Sequence, residues 1–167
     1  MHKALKVFAT QFLGWTLVTF HLVFVANGFS ADLATTRHTV DGAWHFNLKN
    51  SNMANMPAPR QATLIVSIHG NWLMWRETGI DSTGRCFDEM FDGPMDGRRQ
   101  SLRGTYSHVT VSFRQEYGAI VGRWKGKGKR TSIARVSVDG RSLAIENAAN
   151  VYNQTSNWTT SWDKASQ

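Results

Sequence analysis

The chain has 167 residues, with nineteen Lys and Arg against twelve Asp and Glu, a net charge of +7 and a single cysteine, Cys86. One cysteine excludes an intramolecular disulfide framework, and a basic excess this diffuse favours anionic surfaces without marking a nucleic-acid reader. The length suits one domain around one hydrophobic core.

His2, Lys3 and Lys6 form a short positive lead, and a mostly apolar run follows from Val7 to Ala26. Small residues with cleavage spacing come next, Ala26-x-Gly28 or Gly28-x-Ser30, so residues 1–28 are predicted to be a secretory signal. An uncleaved membrane anchor is the competing reading, because the run is long for a signal core and short of a comfortable span. Gln11, Thr16, Thr19 and His21 interrupt it. No cysteine lies near the cleavage region to take a lipid, and the expected location is the periplasm or outside the cell. Cleavage removes Lys3 and Lys6, leaving seventeen basic residues against twelve acidic ones. Residues 29–41 are polar and aperiodic toward their end and read as a flexible lead, with the folded domain over residues 42–167.

From Gly42 onward, short alternating runs are separated by turn signals, the pattern of an all-β meander. Trp44, Phe46 and Leu48 share one face of a first strand, since successive strand side chains alternate. A proline-stiffened loop, Met56-Pro57-Ala58-Pro59-Arg60, leads to a second strand over Ala62 to His69 with Leu64, Val66 and Ile68 aligned. Gly70-Asn71 is a two-residue hairpin into Trp72–Thr78. After the turn Asp81-Ser-Thr-Gly84, a strand from Arg85 to Phe91 sets Phe87 and Phe91 on one side. Asp92 to Gly97 reads as a turn by composition. A basic strand from Arg98 to Arg103 precedes one from Tyr106 to Arg114, in which Val109, Val111 and Phe113 align. Ile120, Gly122 and Trp124 follow, then the tip Lys125-Gly-Lys-Gly-Lys129, then Ala134, Val136 and Val138. Asp139-Gly140 is another hairpin signal, leading to Ser142–Glu146. A polar loop from Asn147 to Asn157 is expected before a last strand carrying Trp158 and Trp162 on one face.

Eight to ten short strands joined this tightly predict an antiparallel up-and-down barrel, because closure removes the exposed edges of an open meander. Three pieces of sequence resemble a family of small bacterial exported proteins with a lipocalin-like β-barrel. They are Gly42-x-Trp44…Asn47-x-Lys49-x-Ser51, the Pro57-Ala-Pro59 loop, and Val136-Ser-Val-Asp139-Gly140-Arg-Ser-Leu143. The resemblance runs from about Asp41 to Asp163. It implies a barrel and bacterial export, and brings no catalytic set with it. This chain is richer in Trp than the resemblance implies and more basic between Arg123 and Arg130.

A barrel of about eight strands is either filled by side chains or hollow enough for one small ligand. Trp44, Phe46, Phe87, Phe91, Phe113, Trp124, Trp158 and Trp162 fall on the inward faces. They are the candidate lining of a cavity for a small apolar or amphipathic molecule, or else the filling of a solid core. Trp72 and Trp75 point to opposite faces, as do Arg76 and Glu77. An inward charge would be costly unless paired, and an inward Arg76, Arg123 or Arg135 would suggest a carboxylate ligand; alternation turns Arg123 and Arg135 outward. The alternative site is external: Arg123, Lys125, Lys127, Lys129 and Arg130 form a basic rim for an anionic envelope surface.

His45, His69 and His108 fall opposite the apolar faces, and His38 lies in the lead. Without metal-ligand spacing these are expected on the surface, and no metal or cofactor is implied. Asp81, Asp92 and Asp96 lack the spacing of a calcium loop. Cys86 reads as a small apolar strand residue, Asp88 and Glu89 face opposite ways, and no nucleophile elbow is present. The expectation is a binding protein and not an enzyme, with oligomeric state open.

Overall fold

A computed structural model describes residues 39–151 and 154–166. The predicted signal segment and most of the flexible lead lie outside the described residues. The alternation read from the sequence forms eleven strands: β1 (Gly42–Asn52), β2 (Gln61–His69), β3 (Trp72–Ile80), β4 (Cys86–Pro94), β5 (Gln100–Ser101), β6 (Arg103–Gly104), β7 (Thr110–Glu116), β8 (Ala119–Lys125), β9 (Lys129–Val136), β10 (Ser142–Val151) and β11 (Gln154–Lys164). They make one antiparallel sheet in the order β5-β7-β8-β9-β10-β11-β1-β2-β3-β4-β6.

The sheet rolls up because β1 pairs with β11 as well as with β2, from Trp44↔Lys164 to Asn47↔Ser161. The remaining seam lies between β4 and β7. It is spanned by two short pieces, β6 on β4 (Met90↔Arg103) and β5 on β7 (Gln100↔Val111). Leu102, between them, is buried at 4% exposure, and its N–H donates to the Val109 carbonyl at 3.0 Å. Gly104 makes this closure possible: its φ is +119°, and the Asp88 carbonyl occupies the place a Cβ would take. The result is a nearly closed all-β barrel.

One end of the barrel is solid. Trp44, Leu64, Leu73, Val111 and Leu143 are fully buried there and Phe91 is 1% exposed. The Trp44 indole N–H donates to the Val40 carbonyl at 2.9 Å, and Asp41 accepts the Ile68 N–H at 2.6 Å. The end of the expected flexible lead is therefore pinned across this floor.

Several expectations are corrected. Asp92–Pro94 is strand rather than turn, since β4 stays paired with β3 through Trp72↔Pro94, and the chain turns only at Met95. The basic strand expected over Arg98–Arg103 is reduced to the two seam pieces. Tyr106 lies in a turn, so β7 begins later than expected. The polar loop expected from Asn147 to Asn157 is a long hairpin instead: β10 and β11 stay paired out to Val151↔Gln154. Polarity misled there because Asn147, Ala149, Trp158 and Thr160 alternate inward as any strand residues do. Leu48 is 56% exposed, because β1 bulges between Asn47 and Asn52 and loses its phase. Val138 lies beyond β9 and is also exposed, and Cys86 is exposed at the first position of β4.

Candidate ligand-binding site

The other half of the barrel is hollow. A cavity of about 660 Å³ opens between the β1–β2, β3–β4 and β8–β9 connections. Met53, Met56, Pro57 and Pro59 from the β1–β2 loop stand over one side of its mouth. Alternation decides which side chains reach it. Along β3 the inward series is Leu73, Trp75, Glu77, and along β4 it is Phe87, Glu89, Phe91. The packed members belong to the floor, and the others line the hollow.

Six of the eight aromatics expected inward line the cavity: Phe46, Phe87, Phe113, Trp124, Trp158 and Trp162. Trp44 and Phe91 do not. Both are inward, but they sit at the floor end of their strands and are enclosed by core residues. Phe113 is the hub of the aromatic wall. Its ring centroid lies 4.7 Å from Phe91, 5.6 Å from Trp75 and 5.8 Å from Trp124. Gly122 is needed there, since a Cβ would come within 2.9 Å of the Phe113 ring and 3.0 Å of the Trp124 indole nitrogen. Phe46 meets Trp162 edge to face at 5.5 Å. Such contacts hold rings in fixed orientations as well as burying them.

The basic rim divides. Arg123, Lys125 and Lys127 are exposed, and Arg123 faces Glu116 at 3.4 Å. Lys129 is also exposed, at the lip of the cavity. Arg130 does not belong with them: β9 begins at Lys129, so Arg130 takes the inward phase with Ser132 and Ala134 and lines the cavity. Its guanidinium carbon sits 4.0 Å from the Trp124 ring centroid, its partner in the β8–β9 ladder. Its Nε is buried with no hydrogen-bond partner among the described residues.

Two carboxylates face the same space, and neither was singled out from sequence. Glu77 and Glu89 are direct cross-strand partners on β3 and β4. Glu89 is 8% exposed; one oxygen accepts the Tyr106 N–H at 2.6 Å and the other is buried without a partner among the described residues. Burial pushes the Glu89 carboxyl up to about 7, against the Tyr106 hydrogen bond and with help from the charges of Glu77 and Asp88. Burial also raises Glu77, and the positive charge of Arg130 opposes that rise. Arg130 in turn is lowered by burial and supported by Glu77. The inward phase of Glu77, two residues after Trp75, and of Glu89, midway between Phe87 and Phe91, was the available signal.

A neutral polar pair completes the wall: the Ser132 hydroxyl donates to Asn147 Oδ1 at 2.7 Å, and Asn147 Nδ2 donates to the Ile145 carbonyl at 3.0 Å. Outside the barrel, Arg76 pairs with Asp88 at 2.7 Å and Arg135 with Glu146 at 3.2 Å. His45, His69 and His108 are exposed. At the mouth, Asp81 accepts hydrogen bonds from Thr83 and Arg85, which hold its carboxyl well below the usual carboxylate range. No group of three His, Cys, Asp or Glu that could hold a metal ion occurs among the described residues.

The chain matches no protein-family model and no curated protein. Among solved structures it is similar to the zebrafish ileal bile acid-binding protein complexed with cholic acid, at 10% identity. The match covers 75% of this chain and 98% of that one, with a TM-score of 0.49. The barrel assignment rests on the strand ladders of this chain.

Proposed function

We propose that this protein binds a small amphipathic molecule inside its barrel, as an exported carrier or sensor. The observation that carries the proposal is the hollow half of the barrel. Its volume of about 660 Å³ falls within the roughly 300–1,000 Å³ of small-molecule pockets. Its walls are mostly aromatic and aliphatic, with a few polar groups. Burial of apolar ligand surface against these rings supplies the driving force, and the polar groups orient the ligand. No reaction is assigned.

Native mass spectrometry of the protein purified from its own host tests the proposal. A stoichiometric extra mass that leaves on denaturation is expected, and Ala149→Trp, which puts an indole into the cavity, is expected to remove it. A bare protein mass, with no uptake from a host lipid extract, would overturn it. Export belongs to the same proposal and rests on the Lys3 and Lys6 lead, the apolar run and the small residues at Gly28. It also follows the resemblance to bacterial exported barrels. Amino-terminal sequencing of the host protein is expected to begin at Phe29 or Ala31, and an intact Met1 would count against cleavage.

A further inference from the structure

Three ionisable side chains, Glu77, Glu89 and Arg130, face the interior of one cavity, and among the described residues Glu89 and Arg130 each keep a buried polar atom without a hydrogen-bond partner. Glu77 and Glu89 lie opposite one another across the β3–β4 ladder, where like charges repel. Glu89 is more than nine-tenths buried, with one carboxyl oxygen unpartnered. Arg130 stacks on Trp124 with a buried Nε–H unpartnered. Among the described residues it forms no ion pair with either carboxylate, although it feels the Glu77 charge.

The sign of this trio matters. Inside the hollow one guanidinium offsets one carboxylate and the second is left over; at the mouth Asp81 and Arg85 pair with each other, and Lys129 is exposed to solvent. An anionic head group would draw Arg130 away from Glu77 and add a third negative charge to a space shielded from water. A cationic head group would instead separate the two carboxylates and complete the charge balance. A buried N–H and a buried carboxylate oxygen are both costly when unmade, so a ligand that supplies an acceptor and a charged donor together relieves both.

We infer, building on the cavity-binding proposal above, that the ligand is an amphipathic amine with a neighbouring oxygen. Its ammonium is taken by the Glu77–Glu89 pair and its oxygen by the Nε–H of Arg130. A long-chain amino alcohol is the simplest molecule of this class. Its tail lies against Phe46, Phe87, Trp158 and Trp162.

A pH dependence follows from the groups that face Glu89. Glu77 faces it across the ladder from β3, and the Tyr106 backbone N–H bonds it from the following loop. The charge of Asp88 acts on it from the outer face of its own strand, and Arg130 lines the same cavity from β9. Arg103 on β6 is bonded to Asp92, and Asp88 is bonded to Arg76. Glu89 is raised to about 7, so an ammonium that needs it ionised must displace its proton at lower pH. Binding of the amine therefore strengthens as pH rises through the neutral range, whereas binding of an anion weakens.

The test compares decylamine, decanol and decanoate, matched in tail length, on the ligand-stripped full protein by calorimetry. Decylamine, which stays protonated throughout, is expected to bind about tenfold or more tightly than either of the others at about pH 8. It is expected to lose about tenfold at about pH 6 and to release a proton on binding at the lower pH. Glu89→Gln keeps an acceptor for the Tyr106 N–H and is expected to abolish both the preference and the pH slope. Arg135→Ala, on the outer face, is expected to leave both in place. Tighter binding of decanoate, or equal binding of all three, would overturn the amine assignment while leaving the cavity proposal standing. Binding of none would overturn both.

Discussion

The two halves of this barrel are built by the same strands and do opposite things. At the floor, the inward positions of β1, β2, β3, β4 and β10 carry Trp44, Leu64, Leu73, Phe91 and Leu143, all 1% exposed or less. A few residues along the same strands, the inward positions include, among the rings, Glu77, Glu89 and Asn147, with Gly122, Arg130 and Ser132 on β8 and β9. The first set interdigitates and leaves no room. The second set cannot: carboxylates, a guanidinium and small side chains do not close-pack in an apolar interior, so the walls stay apart. Hollowness here is a choice of residues along a strand face, not of fold.

The sharpest way to break this comparison is to make the floor hollow as well. Phe91→Ala is expected to cost about 3–5 kcal/mol, the range for large core truncations. Denaturant melts check this, and a loss under about 1 kcal/mol would mean the floor can collapse around the gap.

Removing the charge that keeps the upper half open is the next largest change. With Glu89 raised to about 7, the folded state holds a proton that the unfolded chain releases near its ordinary value. Stability attributable to this group is therefore fully present at low pH. It declines as pH rises through the interval between the two values, by on the order of 3 kcal/mol in all. Glu89→Gln is expected to match the parent near pH 4.5 and to be the more stable protein on the alkaline side. Thermal melts across that range check it, and parallel stability profiles would show that the Glu89 carboxyl titrates normally.

A smaller contrast comes from truncating a cavity ring. Phe87 is only half-buried, so Phe87→Ala is expected to cost about 1 kcal/mol while weakening ligand uptake severalfold. A stability loss equal to that of Phe91→Ala would erase the distinction between floor and cavity. Smallest of all is Arg135→Ala on the outer face, expected to cost less than about 1 kcal/mol and to cost less still in high salt.

Strand alternation made much of this legible in advance. The hairpins at Gly70-Asn71 and Asp139-Gly140 fall where turn chemistry places them, and Trp75 is inward with Trp72 out. Six of eight aromatics line the cavity for the same reason. What alternation could not report is depth along a strand: Trp44 and Trp158 share an inward phase, but one is sealed in the floor and the other stands at the hollow. Arg130 was misplaced because a run of Lys, Gly and Arg looks uniform until the strand's first residue is known. Glu77 and Glu89 are assigned no face from the sequence, since the pairs Arg76/Glu77 and Asp88/Glu89 read only as pointing opposite ways; their phase with Trp75 and with Phe87 and Phe91 places them within. Leu48 failed differently, since a bulge erases the parity on which every such inference depends.

The seam between β4 and β7 has a mechanical consequence. Elsewhere the wall is held by ladders four to ten residue pairs long, but here each side is joined by two pairs, with Leu102 wedged between them. The free energy of local opening follows the number of bonds and buried contacts that must be released, so the barrel parts first at this stave. Glu89 sits directly on it, paired with Gly104. A carboxyl that burial pushes up to about 7 thus lies beside the lowest barrier to hydration, and breathing of the seam supplies its route for exchanging a proton with solvent.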